Sequence, residues 1–167
     1  MERQLNVQLE GILENQGLAR AIAAAYASEL DPTVDELTEI KTAVSEAFSN
    51  AVLHGYGSAR GGSDGECTEK NGGFQEINEN YARKPVYMEF TIISPGTIMI
   101  KISDNGIGIE NVAKAMEPLF TTDTGQNRSG MGFTVMESFM DKLKVDSKPG
   151  KGTTVTMIKK LDTYYGF

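Results

Sequence analysis

The chain has 167 residues, a length that suits one domain with a buried core, and its 40% apolar and 23% charged content reads as globular rather than disordered. No window approaches the ~18 uninterrupted apolar residues of a membrane span, and the N-terminal MERQLNVQLE lacks the apolar core of a signal peptide, so a cytoplasmic protein without membrane attachment is expected. A net charge of −7 disfavours direct nucleic-acid binding and suits a protein partner with a basic patch; the single cysteine, Cys67, excludes an internal disulfide and leaves no Cys/His cluster for zinc.

Residues 5–10, LNVQLE, alternate apolar and polar and predict a strand with Leu5, Val7 and Leu9 inward. The alanine-rich stretch 15–30 predicts a helix with Leu18, Ile22, Ala25 and Leu30 on one stripe, ended by Asp31–Pro32. Thr33 and Glu36 have capping-box spacing and open a second helix that runs to about His54. Its core face carries Leu37, Ile40, Val44, Ala47, Phe48 and Ala51, and Gly55 and Gly57 stop it. Residues 57–84 are rich in Gly, Ser, Asn and charge and nearly free of aliphatic side chains, which predicts a long flexible insertion. From Pro85, VYMEFTII and TIMIKIS predict two strands joined by the Ser94–Pro95–Gly96 turn. The turn DNGIGI follows, then a short helix from about Glu110 to Met116, a loop over 117–130 and a helix from about Met131 to Lys142. Two closing strands, KLKVDS and TTVTMIKK, flank a hairpin turn over Lys148–Gly152. The order β, α, α, insertion, β, β, α, loop, α, β, β predicts an α+β fold, a mostly antiparallel sheet with helices on one face, and lacks the βαβ alternation of a parallel sheet.

Four segments carry candidate chemistry. Glu46, Asn50 and His54 recur at i, i+4 and i+8, on one helix face. Asn offers a neutral oxygen to a hard cation such as Mg²⁺, and Glu can take a proton from an attacking hydroxyl. The same spacing also describes a solvated polar stripe, and His54 by itself suits packing or capping. Asp104–Asn105–Gly106–Ile107–Gly108 directly follows a strand; its glycines let backbone approach a flat ligand, and its carboxylate can accept from an exocyclic amine such as adenine's. A plain Asp-Asn-Gly turn has the same residues. Arg128–Ser129–Gly130–Met131–Gly132 opens a helix, so that its amides and Arg128 suit a phosphate, although a flexible loop ending in an N-cap reads alike. It lacks the Lys-Ser/Thr ending of a P-loop. Gly152–Thr153–Thr154 starts the last strand, where a hydroxyl can bridge through water to the base that Asp104 reads, or simply follow β-branched strand composition. No one segment decides; their order and their placement on helix and strand do.

Together these segments resemble the Bergerat-type ATPase/kinase superfamily, which includes gyrase, MutL and the histidine kinases, with Glu46-x₃-Asn50, Asp104-x-Gly106-x-Gly108, Gly130-x-Gly132 and Thr153 at its motif positions. The runs DPTVDELTEIKTAVSEAFSNAVLHGY (31–56), EPLFTT (117–122), RSGMGFTVMESFMDKL (128–143) and GKGTTV (150–155) narrow the likeness to the sporulation anti-sigma-F factors, serine-protein kinases of spore-forming bacteria. Outside 57–84 it covers nearly the whole chain. The resemblance implies a two-layer α/β sandwich in a single domain over 1–167, with the insertion at about 57–84 and an ATP lid at about 117–132. It implies a homodimer that holds a sporulation sigma factor inactive and uses ATP to phosphorylate a serine on an anti-anti-sigma protein, with ATP and ADP states biasing which partner is held. By position, Glu46 is implied as the general base and Arg128 as the residue meeting the terminal phosphates. Asn50 is implied as the Mg²⁺ ligand, and Asp104, Gly106 and Gly108 as the adenine site. Thr121, Thr122, Ser129, Gly130, Met131, Gly132 and Thr153 complete the nucleotide contacts, and Arg20 matches a partner-contact position.

The insertion departs from the family pattern, and Cys67 lies in it. Histidine kinases usually carry Asn where this chain has Glu46, and gyrase- or MutL-type ATPases need further domains. A switch kinase for a stress-response sigma factor, or a nucleotide-gated sigma-binding module without catalysis, are the remaining alternatives. Glu46 and Arg128 favour an enzyme.

Overall fold

The structure, a computed structural model, describes residues 3–56, 84–117 and 130–162. Cys67 and nearly all of the predicted insertion, and Thr121, Thr122, Arg128 and Ser129 of the predicted lid, lie outside the described residues.

Among the described residues five strands form one antiparallel sheet in the order β1-β2-β3-β5-β4: β1 (Arg3–Glu10), β2 (Pro85–Ser94), β3 (Thr97–Asp104), β4 (Lys142–Lys148) and β5 (Gly152–Lys160). Every neighbouring pair is antiparallel, so the sheet can leave one face unburied, and the strands alternate accordingly. Val86, Met88 and Phe90 of β2, Ile98, Ile100 and Ile102 of β3, and Val155 and Met157 of β5 are buried in one core with the helices. Leu5, Val7 and Leu9 pack at its β1 edge, as their alternation predicts. The opposite face is mostly polar, with Met99 and Ile158 among its apolar members. A shallow depression there of about 370 Å³ is lined by Asn6, Gln8, Tyr87, Glu89, Lys101 and Ser103, and at its centre Lys101 donates to Glu89 over 2.8 Å. That depression is separated by the sheet from Glu46, Asn50, Asp104 and Thr153, and only Thr154 of the singled-out residues reaches its face, through a 2.9 Å contact with Ser103.

The helices α1 (Gln16–Ala27), α2 (Val34–Asn50) and α4 (Gly132–Phe139) cover the apolar face, and the single turn α3 (Val112–Ala115) follows the Asp104–Gly108 segment. The inward stripe of α1 differs from the predicted one. Ala19, Ala23 and Ala27 are fully buried, whereas Leu18 is 49% exposed, Ala25 is exposed and Ile22 is half-buried; Leu30 is buried as expected. Small side chains at i, i+4 and i+8 let α1 lie close on α2, and that closeness decides the rotation of the helix over the greater hydrophobicity of Leu18. The α2 face matches, with Ile40, Val44, Ala47 and Phe48 buried. Helix α4 is shorter than predicted. It ends at Phe139 because Met140 turns extended, the Phe139 carbonyl accepts from Lys159 Nζ at 2.9 Å, and the Asp141 carboxylate accepts the Lys160 amide at 2.6 Å, which draws the chain onto the sheet edge.

The start of α2 is held by a full capping box. The Glu36 amide donates to the Thr33 hydroxyl, and the Glu36 carboxylate accepts from the Thr33 amide at 2.7 Å and the Thr33 hydroxyl at 2.9 Å. Its other oxygen accepts the Asp162 amide at 2.8 Å, so this carboxylate also pins the segment after β5 to α2. Burial pushes Glu36 up, but the Thr33 and Asp162 amides, the Thr33 hydroxyl and nearby Lys159 outweigh it and hold its pKa below the usual glutamate value. A native pKa below the unfolded one gives stability that is complete at neutral pH and lost as the pH falls through the native value. Glu36→Ala is therefore expected to cost about 1–3 kcal/mol at pH 7. Thermal unfolding at pH 7 and below about pH 4 should show the gap to wild type closing as the wild-type carboxyl protonates.

Candidate functional site

Helix α2 does not continue as α-helix to His54. It ends at Asn50 and passes into a π-helical turn, Ala51–Gly55, a rare geometry that recurs at functional sites. His54 lies in that turn, so the predicted i, i+4, i+8 stripe stops at Asn50. Glu46 and Asn50 remain one α-turn apart, both half-buried.

The amino end of α4 is set against these two residues. A Cβ placed on Gly132 would lie 3.2 Å from Glu46 Oε2 and 3.3 Å from Asn50 Nδ2, tighter than most real contacts. The bare glycine thus lets the first turn of α4 come down onto Glu46 and Asn50. Among the described residues no side chain caps the helix at Met131, and its first turn, whose leading amides have no partner within the helix, lies beside the Glu46 carboxylate and the Asn50 carboxamide. Gly130, with φ of +62°, makes the bend into it. The amino end of a helix, a carboxylate and a carboxamide are gathered at one point, a combination that suits an anionic group and a hard cation. Among the described residues no cluster of three or more His, Cys, Asp or Glu side chains could hold a metal by itself.

The other end of the site is built on the sheet. Asp104, Thr153 and Ser147 are direct cross-strand partners on β3, β5 and β4 and form one polar rung across the helix-facing side. They end strand faces otherwise made of Ile98, Ile100 and Ile102, of Val155 and Met157, and of Leu143 and Val145. Asp104 is only 6% exposed, and its Oδ1 accepts the Gly106 amide at 2.8 Å. Burial raises its carboxyl above the ordinary aspartate value, and the amides of Gly106 and Thr153 only partly offset that. A buried carboxylate in that state is eased by a further donor, which an exocyclic amine supplies.

The π turn and the Asp104 turn touch through glycines. The Gly55 carbonyl accepts the Ile107 amide at 3.0 Å, and a Cβ on Gly106 would overlap that same carbonyl. A Cβ on Gly55 would lie 2.7 Å from Asp104 Cγ and Oδ1. Glu46 and Asn50 therefore lie on one continuous helical run whose end, Gly55, meets Asp104 of the sheet. Gly55→Ala is expected to displace the Asp104 carboxylate, at a cost of about 1–3 kcal/mol in stability. Nucleotide titration should show a larger proportional loss of affinity than the change in melting temperature implies.

Gly108, at φ +73°, brings the turn against Lys148, and the Gly150 amide donates to the Ile107 carbonyl at 2.6 Å. Tyr56 anchors the same turn from below: its hydroxyl donates to the Pro85 carbonyl at 2.6 Å and accepts the Asn105 amide at 2.9 Å. Burial raises the Tyr56 pKa, which keeps that phenol protonated as the pair of bonds requires. Arg20 is exposed on α1, one turn after Gln16, whose amide donates to the Ser45 carbonyl at 3.1 Å beside Glu46.

The structure thus brings Glu46, Asn50, Met131 and Gly132 together at one end, and Asp104, Gly106, Gly108 and Thr153 at the other. Gly55, Tyr56 and Ser147 were not singled out as site residues. For Ser147 a signal existed: KLKVDSK places a hydroxyl in the apolar phase of its strand, as TIMIKISD places Asp104.

This geometry, a helix-faced antiparallel sheet with a buried aspartate at one end and a Glu/Asn helix face under a glycine-led helix at the other, is that of a histidine kinase-like ATPase domain, and the family model of that description matches residues 12–159. The chain belongs to the anti-sigma F factor family within it. It is 44% identical over 163 residues to the anti-sigma F factor of Clostridium perfringens strain SM101, covering 98% of this chain and 100% of that protein. It is 43% identical over 161 residues to that of Priestia megaterium, covering 96% and 95%. Among solved structures, the RsbU and RsbW domains of a Mycobacterium tuberculosis protein align with a TM-score of 0.58 at 16% identity, covering 95% of this chain and 32% of that one. The mycobacterial sensor histidine kinase MprB aligns at a TM-score of 0.50 and 16% identity, covering 95% and 98%. These two likenesses concern the fold.

Proposed function

We propose that the protein is an anti-sigma factor and an ATP-dependent protein serine kinase: it binds and inhibits a sporulation sigma factor, and it phosphorylates the anti-anti-sigma protein that would release that factor. The observation that carries the reading is the seating of Gly132, at the amino end of α4, on the Glu46 carboxylate and the Asn50 carboxamide. The full-length kinship with anti-sigma F factors supports the choice of partners.

In this reading Asp104 accepts the adenine amine, Gly106 and Gly108 let the backbone lie against the base, and Thr153 completes the contact through water. The first turn of α4 receives the phosphates, while residues 117–132, with Thr121, Thr122, Ser129, Gly130 and Met131, close over them and Arg128 meets the terminal ones. Mg²⁺, when bound, would offset phosphate charge, and Asn50 would hold it through its carboxamide oxygen. Glu46 takes the proton of the acceptor serine as its oxygen bonds to the γ-phosphorus and the bond to the ADP oxygen breaks. Arg20 contacts a protein partner. The chain acts as a homodimer, and one domain spans 1–167 with 57–84 inserted. No helix among the described residues is long and apolar enough to cross a membrane.

The test is incubation with γ-labelled ATP, Mg²⁺ and a matched anti-anti-sigma protein, followed by sigma-factor pull-down in ATP or ADP. Label on a serine of the partner, with nucleotide-dependent sigma retention, is expected. Sigma retention without any phosphoserine would leave a binding module and not a kinase.

A further inference from the structure

The last strand breaks its own alternation. Val155 and Met157 of β5 are buried on the helix-facing side, and the next residue on that side is Lys159, opposite the buried Ile98 of β3. The Lys159 side chain is only 14% exposed. An ammonium so placed costs stability unless it is paired, and an apolar side chain would suit the strand better. Lys159 Nζ has two partners there. It donates to Glu39 Oε2 of α2 at 2.6 Å and to the Phe139 carbonyl at the end of α4 at 2.9 Å. The last carbonyls of a helix have no partner within it, and the carboxyl end of its dipole favours a cation.

These bonds give α4 a second fixed point on α2. Its amino end rests at Gly132 on Glu46 and Asn50, and its carboxyl end is tied at Phe139, through Lys159, to Glu39. Gly132 to Phe139 and Glu46 back to Glu39 are equal steps along the two helices, about 10 Å each at ~1.5 Å per residue. The helices therefore run side by side in opposite directions and are fastened at both ends of α4. A helix of two turns is stiff, so a shift of its tied end is passed on to its amino end.

We propose that Lys159 is a positioning residue for phosphate binding: by tying the end of α4 to Glu39, it holds the first turn of α4 where the phosphates of a nucleoside diphosphate reach it. The inference rests on the ATP-site reading above. Lys159 does not touch the nucleotide; it acts through α4. Nor does it act on the base, since Asp104 and Thr153 are paired at the opposite end of β3 and β5 from Ile98 and Lys159. Loss of the tie should therefore be felt by the phosphates and not by the nucleoside.

The experiment measures the affinity for ADP by calorimetry and for adenosine by competition with ADP, in wild type, Lys159→Met, Lys159→Arg and Glu39→Gln, with thermal unfolding of each. Lys159→Met keeps the length of the stem and removes the donor. It is expected to weaken ADP by roughly tenfold, the scale of one hydrogen bond to a charged group, and to leave adenosine unchanged. Lys159→Arg can still donate to both oxygens and should bind both ligands as wild type does. Glu39→Gln should shift the ADP/adenosine ratio in the same direction as Lys159→Met, by less. A merely structural role would weaken both ligands alike, or neither, and leave the ratio unmoved. If Lys159→Met does not fold, Glu39→Gln, at a partly exposed position, carries the test. An ADP/adenosine ratio equal to that of wild type in Glu39→Gln and in any folded Lys159→Met overturns the proposal. Wild type that binds neither ligand overturns instead the ATP-site reading on which it rests.

Discussion

Glu46→Gln is expected to lower phosphoryl transfer to the serine acceptor by roughly 10²–10⁴-fold while ADP affinity stays near that of wild type. The carboxamide keeps the size of the side chain and its place beside Gly132, where Glu46 Oε2 lies 3.2 Å from the position a Cβ would take. It cannot take a proton. Asn50, α4 and the Asp104 turn are untouched, so binding survives and only the step that needs a base is lost. The readout is single-turnover transfer from γ-labelled ATP alongside an ADP titration. Equal loss of binding and transfer would place Glu46 in nucleotide contact and not in proton transfer.

Asp104→Asn is expected to weaken ADP and ATP by roughly 10–100-fold, the scale of a lost hydrogen bond to a charged group. Asn can still accept the Gly106 amide through its carbonyl oxygen, a bond of 2.8 Å in the wild type, but its amide then faces the adenine amine, donor against donor. Sigma retention that depends on nucleotide should fall with it. The unliganded fold should change little, since the carboxamide gives up the bond from the Thr153 amide but also the cost of a buried charge. Burial holds the Asp104 carboxyl above its ordinary value, so its charge is disfavoured in the native state, and a neutral isostere removes that burden. Titration calorimetry and a melting curve without ligand check both halves: affinity falls while the melting temperature holds or rises. The aspartate would then be a residue kept at some expense to the fold for the sake of a ligand.

Much of the fold was legible because its signals were local. The Thr33/Glu36 box, the alternation of LNVQLE and TIMIKIS, and the Ser94–Gly96 turn each state their structure in a few residues, and each is present. The rotation of α1 was not legible, since it depends on how near α2 lies, and Ala19, Ala23 and Ala27 beat Leu18 only once that distance is set. The π turn at Ala51–Gly55 was missed for a similar reason: the segment reads as ordinary helix, and the contact of Gly55 with Asp104 gives it a purpose only in three dimensions. Within the site, Glu46, Asn50 and Asp104 stood out by chemistry and order. Ser147 needed knowledge of which strands neighbour which, because β4 meets β5 and β5 meets β3, and that alone puts its hydroxyl beside Thr153 and Asp104.

A nucleotide lying between Asp104 and the Glu46–Asn50 face is the central requirement of the proposed function. Titration of the wild-type chain and of Asp104→Asn with ADP and Mg²⁺ at neutral pH tests this most directly. Saturable binding by wild type that ATP displaces and that Asp104→Asn loses is the predicted result. Wild type that does not bind ADP, or Asp104→Asn that binds it as tightly as wild type, would contradict the account.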